Sequence, residues 1–249
     1  MNSTGDTSSS TPPGDIFVTT RWTVVLSAGR KSSPQSDRAL GELCQTYWYP
    51  LYAYVRRQGK TKEDAEDLVQ AFFAKFLEKN YLEGLSAGRG KFRAFLLASL
   101  KHFLANEWDK AQRQKRGGGV PHLSLDWQGA DARYHLDPPD PSSSDKTFDR
   151  EWALALLERV VTRLREECVA DGKEKLFEQA KGFLMVGESV IPYAQAAQAL
   201  GLDEGAVRVA VHRLRKRYRA LLRDEIAQTL DDPAQVAEEL RSLQAALAG

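Results

Sequence analysis

Apolar residues recur at steps of three and four along most of the chain, which is the period of an amphipathic helix. No segment shows the strict alternation that predicts a half-buried strand, so the pattern predicts an all-α fold. Turn signals divide it into separate helices. The predicted helices cover residues 37–57, 62–80, 92–116, 148–169, 173–185, 192–200, 203–224 and 233–247.

Individual residues mark where some of these helices begin and end. Pro50 lies inside the first predicted helix, where it is expected to produce a kink or a boundary. Thr61 is an N-cap candidate for the second helix, with Asp64 three residues later. Ahead of them, FVTTRWTVVLSAG (17–29) predicts a short helix packed on the first part of the chain.

Composition changes near the middle of the chain and predicts two small helical domains joined by a flexible linker. Four prolines and a serine run follow the glycines at 117–119, which is the composition of a linker. The serine- and proline-rich start is typical of disorder. The predicted divisions are a disordered start (1–15), a first domain (16–117), the linker (118–147), a second domain (148–228) and an acidic C-terminal helix (229–249).

Charge is segregated although the formal net charge is only +1. Residues 89–116 hold eight basic and two acidic side chains, and residues 204–223 hold seven basic and one acidic, so each stretch has a net charge of +6. Residues 126–151 and 224–249 are acidic, with net charges of −4 and −5. Because local charge decides whether a surface attracts a polyanion, the two basic stretches are candidate nucleic-acid surfaces.

Several classes of protein fit the sequence poorly. Cys44 and Cys168 lie far apart within apolar helical patterns, which favours buried free thiols and a reducing cytoplasm over a disulfide. The four histidines lack metal-ligand spacing, and no Gly-rich phosphate loop or nucleophile elbow is present, so neither a metal, a cofactor nor an enzyme activity is predicted. No secretory signal or membrane span is predicted either.

The stretch YAQAAQALGLDEGAVRVAVHRLRKRYRALL (193–222) has the pattern of a helix-turn-helix. Val207, Val211, Leu214, Tyr218 and Leu221 form its buried stripe, and basic residues lie off that stripe. The alternative is an αα-hairpin with a solvated basic face. The residues placed to face base edges are Glu204, Gly205, Arg208, Val209 and His212, and those better suited to phosphates are Arg213, Arg215 and Arg217.

Three stretches in order resemble the extracytoplasmic-function (ECF) group of bacterial RNA polymerase sigma factors. DAEDLVQAFFAKFLE (64–78) resembles the polymerase-binding helix of that family, and FRAFLLASLKHFLANEWDKAQRQKRGG (92–118) its helix for promoter melting and −10 reading. The helix-turn-helix resembles its −35 reader. The resemblance implies two helical domains, similar to sigma regions 2 and 4, that bind core polymerase and promoter DNA without catalysis.

The resemblance also implies roles for particular residues. On the loop and helix from 81 to 116, the implied −10 DNA contacts are Lys91, Arg93, Asn106, Asp109, Lys110, Arg113, Lys115 and Arg116. The implied polymerase-binding residues are Asp64, Asp67, Gln70 and Ala71. An acidic first turn that only stabilises the helix dipole explains the two aspartates almost as well. Trp108 is either a stacking platform for an unpaired base or a core tryptophan.

The leading hypothesis is therefore a cytoplasmic sigma factor of the ECF type whose partners are bacterial core RNA polymerase and promoter DNA. The resemblance also admits an anti-sigma factor as a partner. The alternative is a stand-alone helix-turn-helix regulator whose first half senses a ligand or forms oligomers. The two hypotheses differ in whether specific DNA binding needs the polymerase.

Overall fold

The computed structural model describes residues 21–28, 33–77, 91–113, 144–184 and 192–248. Within these ranges the chain forms nine α-helices and two short 3-10 turns, Lys181–Phe183 and Pro233–Gln235. The α-helices are α1 (Arg21–Ala28), α2 (Pro34–Arg57), α3 (Lys62–Leu77), α4 (Phe92–Arg113), α5 (Ser144–Ala170), α6 (Glu174–Ala180), α7 (Tyr193–Leu200), α8 (Glu204–Ala227) and α9 (Val236–Ala248).

The prediction of an all-α fold is confirmed. In the described ranges, β-type pairing is limited to one isolated antiparallel bridge, between Lys91 and Leu230. The predicted buried thiols are also confirmed, because Cys44 and Cys168 are both free and buried.

Helix α2 begins three residues earlier than the apolar pattern predicted, because polar residues cap it. The Ser33 hydroxyl accepts a hydrogen bond from the Ser36 amide at 3.1 Å, and the Ser33 amide donates to the Ser36 hydroxyl at 3.0 Å. Pro34 occupies the first turn, where its missing N–H costs nothing. The helix then runs through the buried Pro50, so the boundary expected there is absent.

The larger of two apolar clusters, here called the front core, is built on α2, α3 and α4. Its largest buried side chains include Tyr47, Phe72 and Phe92. Trp22 of α1 is fully buried against it, with its ring centroid 4.9 Å from that of Phe92. The prediction that an N-terminal helix packs on the first part of the chain is therefore confirmed.

A second cluster, here called the rear core, joins the end of α5 to α6, α7 and α8. Val160, Leu164 and Phe177 are buried in it beside Val207 and Val211 of α8. Helix α5 contributes to both cores, because Phe148, Trp152 and Leu156 near its start are buried in the front core. One continuous helix thus connects the two clusters.

The front core also contains residues from the C-terminal part of the chain, namely Ile226, Leu230 and Leu243. It therefore includes side chains from stretches that the sequence assigned to the second domain and to the acidic helix. The predicted disordered start, and the predicted linker as far as residue 143, lie outside the described residues. The other domain divisions stay a prediction.

Candidate nucleic-acid interface

Helix α4 changes character along its length, as its sequence suggested. Phe92, Leu96, Leu100 and Phe103 are buried in the front core and fix the first half of the helix. Beyond them Asn106 is half-buried and Trp108 is 61 % exposed. The structure thus places Trp108 outside the core, which leaves its ring accessible for stacking.

A cation lies close to this exposed ring. The Lys60 ammonium, in the turn between α2 and α3, is 5.2 Å from the centroid of the Trp108 ring. An aromatic face beside a cation is the pairing that binds single-stranded nucleic acid, because bases stack on the ring while the cation attracts phosphate. The side chains of Asp109, Lys110 and Arg113, and all of Lys115 and Arg116, lie outside the described residues.

At the opposite end of α4, Lys91 and Arg93 already form ion pairs with carboxylates of the protein. Lys91 forms ion pairs with Glu238 and Glu239 at 2.7 and 2.9 Å, and Arg93 pairs with Glu239 and Asp149. Their side chains are only 19 % and 15 % exposed. Because α4 rises 1.5 Å per residue, roughly 20 Å separates this end from Asn106. The structure therefore does not bring all the predicted −10 residues together.

Helices α7 and α8 are joined by a tight turn with two local determinants. Gly201 has a φ of 65°, a conformation that residues with a side chain adopt only with strain. The Asp203 carboxylate then accepts a hydrogen bond from the Ala206 amide at 2.8 Å and caps α8. Buried Ala196 and Val207 hold the two helices together in the rear core.

The predicted base-facing residues lie on the exposed side at the start of α8. Glu204, Gly205, Arg208, Val209 and His212 are all exposed, with Val209 at 50 %. Arg208 forms an ion pair with Glu204 along the helix. Its guanidinium also lies 4.4 Å from the centroid of the Tyr193 ring, so α7 helps to orient this arginine.

The predicted phosphate-contacting residues are exposed as well, but two of them have protein partners. Arg217 donates two hydrogen bonds of 2.7 Å to Glu167 of α5, and Arg215 donates to the Phe183 carbonyl at 2.9 Å. The hydrogen bond from Arg217 lowers the pKa of Glu167. In the described part of the chain, neither Arg213 nor Lys216 has a carboxylate in ion-pairing distance. Both cations are therefore available to phosphate.

The predicted polymerase-binding residues share one helix. Asp64 and Asp67 are exposed on the first two turns of α3, whereas Gln70 and Ala71 are half-buried. The Thr61 hydroxyl accepts a hydrogen bond from the Asp64 amide at 3.1 Å, which confirms Thr61 as the N-cap. This end of α3 therefore presents carboxylates to solvent on a helix that the front core holds in place.

The helical pattern of the sequence did not predict two buried carboxylates. Glu225 is 3 % exposed and accepts hydrogen bonds from Arg21, Arg159 and Arg163 at 3.0 to 3.2 Å. Glu239 is fully buried. The signal that could have identified them is their spacing from buried apolar residues on the same helix. Glu225 continues the apolar stripe four residues after Leu221, and Glu239 lies four residues before buried Leu243.

Other kinds of site are missing from the described ranges. They hold no group of His, Cys, Asp and Glu side chains that could bind a metal ion. None of the described helices has the length and apolar character needed to cross a membrane.

One stretch of the chain matches the model of a known protein family. Residues 43–114, from within α2 to the end of α4, match the model of Sigma-70 region 2. No match was found among curated proteins or among solved structures. Sigma-70 family proteins are non-enzymatic factors of transcription initiation, and the match supports that role, with core RNA polymerase and promoter DNA as partners.

Proposed function

We propose that this chain, with its sigma-70 region 2 segment, is a cytoplasmic RNA polymerase sigma factor of the ECF type. It binds bacterial core polymerase through α3, reads the −10 element with α4 and reads the −35 element with α8. The observation that carries this proposal is the family match over 43–114, which spans the predicted polymerase-binding helix and most of the predicted −10 helix.

The exposed end of α4 supports the part in promoter opening. Unpaired bases need an aromatic face to stack on, and the separated strand needs cations. Trp108 and Lys60 supply both at one position, and the basic sequence that continues to Arg116 extends the positive charge. The polar second half of α4, from Asn106 to Arg113, is therefore the part of the proposed −10 surface that is open in this structure.

The α7–α8 pair supports the part in −35 reading. A short helix, a glycine with positive φ, an aspartate cap and a longer basic helix are the components of a helix-turn-helix reader. The first residues of such a second helix meet base edges in the major groove. Here Arg208 and His212 are exposed near that end, and His212, Lys216 and Arg219 line one shallow concavity farther along.

The proposal is tested by measuring the affinity of the chain for core polymerase. Replacing Asp64 and Asp67 together by Ala is expected to weaken binding at least about tenfold, because both carboxylates are exposed on the proposed docking face. Asp37→Ala is the matched control, since Asp37 is an exposed acidic residue in the first turn of α2. Circular dichroism checks that helix content is retained.

Two results would count against docking through α3. Equal binding by the double variant and the wild type would assign the aspartates to the helix dipole alone, especially if helix content fell. Tight, sequence-specific DNA binding without polymerase, combined with no affinity for core enzyme, would favour a stand-alone regulator.

A further inference from the structure

The segment that joins α8 to α9 is attached by its backbone to the start of α1 and the start of α4. The Phe92 amide donates a hydrogen bond to the Thr229 carbonyl at 2.9 Å, next to the bridge between Lys91 and Leu230. The Trp22 amide donates to the Gln228 carbonyl at 3.1 Å. Residues 228–239, here called the clasp, therefore connect the C-terminal part of the chain to the front core.

Side chains of the clasp neutralise Lys91, which precedes α4, and Arg93 in the first turn of α4. Glu239 accepts hydrogen bonds from Arg93 Nε at 2.5 Å and Nη2 at 3.3 Å, and it also pairs with Lys91. The Arg93 guanidinium lies 4.6 Å from the centroid of the Trp152 ring. Burial alone would lower the pKa of Lys91, but its hydrogen bonds to Glu238 and Glu239 outweigh burial and raise that pKa.

The clasp and a DNA phosphate would compete for these cations. Glu239 has no exposed surface, and the Arg93 side chain is 15 % exposed, so a phosphate reaches Arg93 only after Glu239 has moved away. A carboxylate and a phosphate oxygen use the same guanidinium donors. The bound clasp and a −10 contact through Lys91 and Arg93 therefore exclude each other.

The composition of the clasp is suited to a contact that can open. Leu230 of the clasp and Leu243, one turn of α9 beyond it, bury apolar surface in the front core, which stabilises the closed arrangement. Between them, however, Glu239 is a buried carboxylate. A buried ion pair often adds less stability than apolar side chains of the same volume, and its best-attested use is to fix one specific pairing.

We propose that the clasp holds the free chain in a closed state and releases Lys91 and Arg93 when the chain assembles with core polymerase on promoter DNA. This inference rests on the proposed function. In the closed state α9 lies against the front core, and the end of α8 is fixed there through Ile226. Opening separates α9 from α4 and makes both cations available to the −10 strand.

Opening is measured by energy transfer between two dyes on the full-length chain. Ala98→Cys on α4 and Ala245→Cys on α9 provide exposed labelling positions. The native thiols interfere little because both are buried, and burial raises the pKa of Cys44 to about 12. The control pair, Gln35→Cys with Ala98→Cys, lies on two helices of the front core.

Transfer between the Ala98 and Ala245 positions is expected to be high in the free chain. It should fall at least about twofold with core polymerase and promoter, since the closed clasp excludes a −10 contact through Lys91 and Arg93. The control pair is expected to stay constant. Unchanged transfer in a complex that initiates transcription would overturn the clasp. A wild-type chain that neither binds polymerase nor initiates would instead overturn the proposed function, and the role of the clasp with it.

A second variant tests the mechanism by locking the closed state. Residues opposite each other in an antiparallel bridge have Cα atoms roughly 4.5–5.5 Å apart, within disulfide range. Lys91→Cys with Leu230→Cys should therefore form a disulfide under oxidation. We expect the oxidised variant to initiate at least about tenfold less than the same sample after reduction. Equal activity in both states would show that the closed contact is compatible with initiation.

Discussion

At the scale of single residues, buried carboxylates connect parts of the chain that are distant in sequence. Glu225 of α8 receives arginines from α1 and α5, and Glu239 of α9 receives Lys91 and Arg93. An unpaired buried charge is costly, so each of these two carboxylates depends on its cations. These contacts fix which helix faces meet, beyond what apolar burial determines.

Glu239→Ala is expected to lower the free energy of unfolding by about 3 kcal/mol, because it removes the buried carboxylate that Lys91 and Arg93 share. Only the more exposed Glu238 and Asp149 then remain as their partners. Chemical denaturation followed by circular dichroism measures the change. Glu174→Ala serves as the control, since it removes an exposed ion pair with Arg165 and should cost below about 1 kcal/mol. Equal losses in the two variants would contradict the importance assigned to the buried pair.

At the scale of elements, α8 performs two tasks on different faces. Its apolar face is buried in the rear core, and its exposed face carries the candidate DNA contacts. Arg217 lies between these faces and joins α8 to α5 through Glu167. The orientation of the exposed face therefore depends partly on an ion pair that responds to pH.

The contribution of the Arg217–Glu167 pair is expected to disappear in acid. The hydrogen bond from Arg217 lowers the pKa of Glu167, so the stabilisation is complete above the ordinary glutamate range and is lost as pH falls through the lowered value. Wild type should exceed Glu167→Gln by about 0.5–1 kcal/mol in unfolding free energy near neutral pH, and this difference should shrink as pH falls below the ordinary glutamate range. A difference that persists unchanged at acid pH would refute this account.

Two arginines of α8 are expected to act differently on DNA. Arg208→Ala should relax the preference for the upstream element by about 1–3 kcal/mol, because Arg208 is placed to face a base edge. Arg213→Ala should weaken binding equally on all sequences, as expected for a phosphate contact. It should also reduce by about 1 the slope of log affinity against log salt concentration. Lys175→Ala on α6 controls for the loss of an exposed positive charge. The assay is holoenzyme binding to promoter variants at several salt concentrations, and identical effects of the two arginine substitutions would contradict the orientation of α8.

The sequence predicted elements better than contacts between elements. The stripe from Val207 to Leu221 identified the buried side of α8 because helical periodicity is a local property. The ion pairs of Arg93 could not be predicted in the same way, since its partners Asp149 and Glu239 lie 56 and 146 residues away. The early start of α2 was missed because it depends on a serine pair and not on apolar spacing.

At the scale of the whole molecule, two cores share the long helix α5, and the clasp joins the end of the chain to the front core. The candidate readers, the polar half of α4 and the start of α8, lie on helices anchored in different cores. Such an arrangement allows two modest DNA contacts to form together. Once one reader is bound, the tether raises the effective concentration of the other reader near its DNA site. Polymerase would then hold the readers at promoter spacing.

Run-off transcription with purified core RNA polymerase on a genomic promoter library tests the central claim most directly. The account predicts specific initiation when the wild-type chain is added, and none with core polymerase alone. It also predicts reduced initiation by the Asp64→Ala, Asp67→Ala double variant. No promoter-dependent transcript on any template would contradict the assignment as a sigma factor, even if the chain alone bound DNA tightly.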